Sequence, residues 1–179
     1  SLNAGAFEKV QRLCLIEKME EAKRQGRIRH IGFSFHDTLP VFKEIIDYYD
    51  WDVAQIQYNY MDEEYQAGTA GLEYAAEKGL AVVVMEPILG GKLAVPPPPI
   101  QKIFERAPIK RRAADWALRW VWNHPEVTLV LSGMNEEAHV DENVRIAGEA
   151  EANSLTEAEL ELVGRVERTY RRLMKASCT

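Results

Sequence analysis

Hydrophobic residues in this chain follow two rhythms: short, nearly unbroken apolar runs, and longer stretches in which they recur every three or four positions. The runs fall at residues 31–36, 52–58, 80–85 and 127–131, and read as strands. The residue 80–85 run, Leu80-Ala81-Val82-Val83-Val84-Met85, is apolar throughout, as expected of a parallel strand covered on both faces. Between the runs lie helical patterns. Residues 7–25 form an amphipathic helix carrying Phe7, Val10 and Cys14, which Gly26 stops. Asp37 or Thr38 caps a second helix bearing Leu39, Phe42, Ile45, Ile46 and Tyr49, with Pro40 tolerated in its first turn. A third spans residues 64–78, with Tyr65, Leu72, Ala75 and Ala76, and stops at Gly79. Residues 86–91 then make a tight Gly-rich loop, and the prolines at 96–99 a stiff extended stretch.

A helix over residues 100–106 is broken at Pro108, and a clearer one carries Ala113, Trp116, Ala117, Trp120 and Val121 at helical spacing before Pro125. After the fourth strand, residues 132–135 turn and 136–149 form another helix. Thr156 and Glu159 make a capping box for a last helix, whose buried stripe is Val163, Val166, Tyr170 and Leu173. Strands that alternate with helices imply parallel βαβ units with right-handed crossovers. Four strands suffice for an open doubly wound sheet of flavodoxin type, whereas a closed (β/α)8 barrel needs eight strands and about 250 residues.

Composition narrows the class. The 179 residues are enough for one domain with a sizeable core, and a 46% hydrophobic, 28% charged chain is globular. A net charge of −6 gives no footprint for nucleic acid; the basic run Lys110-Arg111-Arg112 reads as a solvated helix face. Cys14 and Cys178 form no disulfide framework, which suits the cytoplasm, and no apolar stretch approaches the roughly 20 residues of a membrane span. Ser1, in place of Met, leads us to expect a natural start upstream.

The four histidines lack ligand-like spacing with the cysteines, and no nucleophile elbow, G-x-G-x-x-G or P-loop is present. What remains is distributed: Ser34 with His36, Gln55 with Gln57, Glu86-Pro87 with Gly90-Gly91, and Gly133 to Asn135 all follow strands. In layered α/β proteins ligands bind at the carboxyl ends of strands, and Gly-rich loops let backbone donors approach a pyrophosphate.

Four segments in order carry a resemblance: Gly26-Arg27-Ile28-Arg29-His30-Ile31-Gly32-Phe33-Ser34, then Gln55-Ile56-Gln57-Tyr58-Asn59, then Met85-Glu86-Pro87-Ile88-Leu89-Gly90-Gly91, then Ser132-Gly133-Met134 through Glu142-Asn143. Together they resemble the second half of the aldo-keto reductases. The resemblance implies an α/β fold of four parallel β/α units forming half of a TIM-type (β/α)8 barrel over residues 1–152, with a C-terminal helical extension over 153–179. It also implies binding of NADP or NAD. Ser34 and Gln55 would hold the nicotinamide carboxamide and Met85 would lie where many members stack an aromatic ring. Glu86, Pro87, Ile88 and Gly90 would cover the pyrophosphate, Gly133, Met134 and Asn135 the adenosine phosphate, and His139 and Asn143 the adenine end.

Departures from the family pattern also carry information. Phe35 stands where many members have an Asn on the carboxamide, and neither Gly133 nor His139 is the usual cation for a 2′-phosphate. The family's catalytic Asp, Tyr, Lys and His belong to the other half of the barrel, and no motif makes Tyr58, Tyr60 or Lys92 a proton donor. Residues 173–179 resemble the approach to a C-terminal iron–sulfur motif, for which one cysteine is too few outside a longer parent chain. The expectation is therefore the cofactor-binding half of an NAD(P)H-dependent carbonyl reductase, inactive alone on its small-molecule carbonyl substrate. Open edges would favour a homodimer. The alternative is a non-catalytic nucleotide-binding or interaction module built on a half barrel.

Overall fold

The computed structural model describes residues 1–176. Among them the order is α1 (Ala4–Arg12), α2 (Leu15–Arg24), β1 (Gly32–Ser34), α3 (Leu39–Tyr48), β2 (Val53–Gln57), α4 (Gly68–Glu77), β3 (Ala81–Met85), α5 (Pro98–Glu105), α6 (Ala113–Trp122), β4 (Val127–Val130), α7 (Glu137–Glu149) and α8 (Glu157–Ala176). The strands form one parallel sheet in the order β1-β2-β3-β4, with Ser34 opposite Gln55 and Gln57 opposite Met85. Each strand is followed by a helix, as the alternating pattern predicts. The expected iron–sulfur approach ends at residues 177–179, with Cys178, outside the described residues.

The chain divides into two compact units. The first comprises Ser1–Tyr58, Asp62–Met85 and Glu126–Leu129; the second comprises Asn59–Met61, Glu86–Pro125 and the chain from Val130 onward. In the first, strand period two puts Phe33, Ala54, Ile56, Val82 and Val84 on a fully buried face. Phe42 of α3 packs against Phe33 and Phe35 on that face, and α4 brings Gly71 against the same ring. Val53, Gln55, Gln57, Ala81, Val83 and Met85 alternate onto the other face and are only half-buried. At the amino ends of the strands, Asp52 accepts hydrogen bonds from the Ile31 N–H (2.7 Å) and Lys23 Nζ (3.1 Å), tying β1, β2 and α2 together.

In the second unit Phe104 of α5 stacks on Trp116 of α6, and Leu162, Val163 and Val166 of α8 are buried. The buried Asp115 pairs with Arg119 (2.5 Å) and Arg145 (3.1 Å), and both guanidiniums also hold Glu149, so a carboxylate removed from water is met on each oxygen. The Thr156–Glu159 capping box forms: the Thr156 N–H donates to Glu159 Oε2 (2.9 Å) and the Glu159 N–H to Thr156 Oγ1 (3.3 Å).

Four expectations are corrected. The helix over residues 7–25 is two helices, because Cys14 adopts a left-handed conformation (φ 50°). The apolar stripe of Phe7 and Val10 and that of Leu15, Ile16 and Met19 lie nearly half a turn apart on one helical wheel. An unbroken helix could not turn both inward. The helix expected from residue 64 begins at Gly68, since Gln66 (φ 59°) and Gly68 (φ 58°) first turn the chain so tightly that a Cβ on Gly68 would meet the Glu63 carbonyl oxygen at 2.5 Å. Of the prolines at 96–99, Pro98 and Pro99 open α5 rather than extending the loop; a first-turn N–H has no helical acceptor, so its loss is harmless. Lastly, Lys110-Arg111-Arg112 precedes α6 instead of lying on a helix, and whereas Lys110 and Arg112 are exposed as expected, Arg111 is half-buried. Arg111 pairs with Glu159 (2.6 Å) and lies over the Trp116 ring (4.5 Å), and Lys110 donates to the Ala107 carbonyl at the end of α5.

Candidate cofactor-binding site

In the first unit Ser34 ends β1 and Met85 ends β3, while Gln55 lies in the middle of β2 within reach of Met85. Ser34 and Gln55 are register partners, and Gln55 Nε2 donates to Met85 Sδ at 3.3 Å. A thioether is a weak acceptor, so the Gln55 amide is only loosely committed. Ser34 Oγ shares a hydrogen bond with Ser1 Oγ (3.0 Å). A hydroxyl and a carboxamide with weak partners form a donor–acceptor set complementary to another carboxamide. Gln57 is otherwise engaged, donating to Asp62 Oδ2 at 2.7 Å, and His36 bonds Gln66 (3.1 Å), a structural role. Phe35 is fully buried against Phe42: one position beyond Ser34 it points to the opposite face and cannot take the part of the family's Asn.

In the second unit the loop after β3 is shaped by left-handed backbone at Glu86 (φ 57°), Leu89 (φ 50°), Gly90 (φ 60°) and Gly91 (φ 87°). Pro87 is buried and Ile88 half-buried, while Gly90 is exposed. The Leu89 and Gly91 N–H groups close turns onto the Glu86 and Ile88 carbonyls. Those of Ile88 and Gly90 donate to no acceptor among the described residues. Free backbone donors on a glycine loop are what a pyrophosphate requires. The take-off is fixed by Asn59, fully buried, whose Nδ2 donates to the Glu86 carbonyl (3.0 Å) while its Oδ1 accepts from the Met61 N–H (3.0 Å). Reasoning from sequence did not single out Asn59 as a site residue. The available signal was one amide inside the otherwise apolar and aromatic run Tyr58-Asn59-Tyr60-Met61.

At the start of α7, Gly133, Met134 and Asn135 are exposed, and their N–H groups also lack acceptors among the described residues. Asn143 is bound to the turn by its Nδ2, which donates to Ser132 Oγ (3.0 Å); His139 is half-buried one turn earlier. Glu136 and Glu137 place two carboxylates at this end of the helix, and residues 131–139 include no lysine or arginine.

The tyrosines left open by the sequence are poor acids. Tyr58 is buried and hydrogen-bonded to Thr69 Oγ1 (2.8 Å), and burial pushes its phenol up to about 12. Tyr60 is buried with no partner for its hydroxyl among the described residues and is pushed up further, by burial first and then by Tyr170. No group of three or more metal-ligating side chains occurs among the described residues, and no helix there is long and apolar enough to cross a membrane.

A protein of parallel β/α units, with polar residues and glycine loops following its strands, belongs among the parallel α/β folds. A model of the aldo/keto reductase family matches residues 7–163, and the chain belongs to that family. It is 29% identical over 140 residues to an uncharacterized oxidoreductase of Schizosaccharomyces pombe, covering 78% of this chain and 44% of the relative. Among solved structures it resembles an aldo-keto reductase from Bacillus halodurans in its holo form, with 27% identity and a TM-score of 0.67 over 84% of this chain and 54% of that one. It shares the fold of a Klebsiella pneumoniae aldo-keto reductase in complex with NADPH, with 22% identity and a TM-score of 0.65 over 85% and 52% of the two chains. The chain spans about half the length of these relatives.

Proposed function

We propose that this chain is the cofactor-binding half of an NAD(P)H-dependent aldo-keto reductase and does not itself carry the proton-transfer residues. The observation that carries this reading is the set of uncommitted donors at the positions the family uses. Ser34 and Gln55 hold the carboxamide, and Met85 lies against the nicotinamide. Glu86, Pro87, Ile88 and Gly90 enclose the pyrophosphate, with Asn59 fixing the loop. Gly133, Met134 and Asn135 hold the adenosine phosphate, and His139 and Asn143 the adenine end. When bound, the cofactor supplies hydride to the carbonyl carbon of a small aldehyde or ketone. Tyr58 and Tyr60, whose phenols burial makes weaker acids, supply no proton to it.

Two variants test the assignment. Ser34→Ala and Gln55→Ala each remove a hydrogen bond to the carboxamide and should weaken cofactor binding about tenfold with unchanged circular dichroism. Affinity unaltered in both would overturn the assignment. Pairing of two copies through exposed sheet edges is part of the proposal, since Thr128 and Leu129 of β4 are exposed. Sedimentation velocity should show a dimer, and a monomer at every concentration contradicts the pairing.

A further inference from the structure

The cationic side chains of α5 and α8 are more numerous than their partners. Lys102 and Arg106 at the end of α5, and Arg165 in the middle of α8, make no ion pair among the described residues. Among the described residues Arg172 reaches only the Thr169 hydroxyl (3.2 Å), whereas Arg168 pairs with Glu161 and Arg171 with Glu167. These six cations line two adjoining depressions of about 610 and 360 Å³ that share Ile103 and Arg165, with Pro99 as a further apolar wall. The concentration is local, because the whole chain has a net charge of −6. Basic residues near a helix end offset its dipole, which accounts for Arg106 and Arg172. It does not account for Arg165, which lines one depression together with Lys102 and Arg106. Like charges one turn apart weaken a helix unless an anion lies between them.

We propose that this groove docks an acidic segment of a partner protein. Its lining contains no aromatic ring on which a base could stack, which disfavours a nucleic acid strand. It runs along helix flanks whose backbone donors are used within the helices, so the convergent N–H groups of a compact phosphate site are missing. Long, mobile cations around an apolar floor instead suit alternating carboxylate and apolar side chains. From residue 165 to 172, α8 advances about 10 Å, and carboxylates at alternate positions of an extended peptide lie about 7 Å apart.

Fluorescence anisotropy tests the docking on the full chain, with a fluorescein-labelled peptide of three Glu-Ser-Glu-Leu repeats and a labelled single-stranded DNA of the same charge. The peptide should bind with a salt-sensitive affinity that weakens about tenfold in the double variant Lys102→Glu/Arg165→Glu. Reversal of an exposed charge in the first unit, Lys9→Glu, should leave it unchanged. If the double variant loses its circular dichroism, Lys102→Gln/Arg165→Gln takes its place, with about threefold weakening expected. Equal or tighter binding of the DNA, unchanged affinity in the groove variants, or no peptide binding at all would each overturn the proposal.

Discussion

Asp52 shows how much one side chain can organise when it sits where elements meet. Its carboxylate accepts from the Ile31 N–H, Lys23 and His30, and these bonds, the backbone one foremost, hold its pKa down at about 2. A carboxyl depressed in the folded state stabilises fully above its ordinary value of 3.8, and that contribution is lost as pH falls toward about 2. Asp52→Asn should therefore lower the urea midpoint at neutral pH, with the gap from the parent chain closing between pH 4 and pH 2. A gap independent of pH would contradict the role. Tyr60 predicts the opposite sign. Its hydroxyl is buried without a partner among the described residues, an arrangement that costs free energy, so Tyr60→Phe should stabilise by about 1 kcal/mol in urea unfolding.

At the level of elements, the capping box of α8 and the packing of β1 make the sharpest expectations. Thr156→Ala removes the acceptor for the Glu159 N–H and should cost about 1 kcal/mol, read as a lower urea midpoint at unchanged slope. Gly32 lies so close to β2 that a Cβ there would sit 2.5 Å from the Val53 carbonyl oxygen, so Gly32→Ala must push the strands apart and should cost more than about 2 kcal/mol. All four strands and the helices after them were legible in the sequence, because period and punctuation agree: Gly26 and Gly79 end helices at positive φ, as their positions imply. The failures share one cause. The break at Cys14, the late start of α4 and the entry of Pro98 into α5 depend on which way a segment must face in the folded molecule, and local spacing does not encode that. Arg111 belongs with them, since Glu159 lies 48 residues further on and nothing in the sequence marks it or Trp116 as a partner.

For the whole molecule, the family and the strand ends were legible because glycines and polar groups interrupt the apolar runs where strands give way to loops. The supporting contacts were not. Asn59 acts through a carbonyl, that of Glu86, and a backbone acceptor leaves no trace in side-chain pattern. Charge adds a prediction: with Glu136 and Glu137 at the start of α7 and no cation in residues 131–139, an added 2′-phosphate meets repulsion, so NADH should bind at least as tightly as NADPH. The measurement that bears most directly on cofactor binding is a titration of the purified chain with both nucleotides, followed by quenching of its tryptophan fluorescence. Saturable quenching that is weakened by Gln55→Ala, with NADH no weaker than NADPH, is the predicted result. The absence of saturable quenching by either nucleotide at millimolar concentration would contradict the assignment of this chain as the half that holds the cofactor.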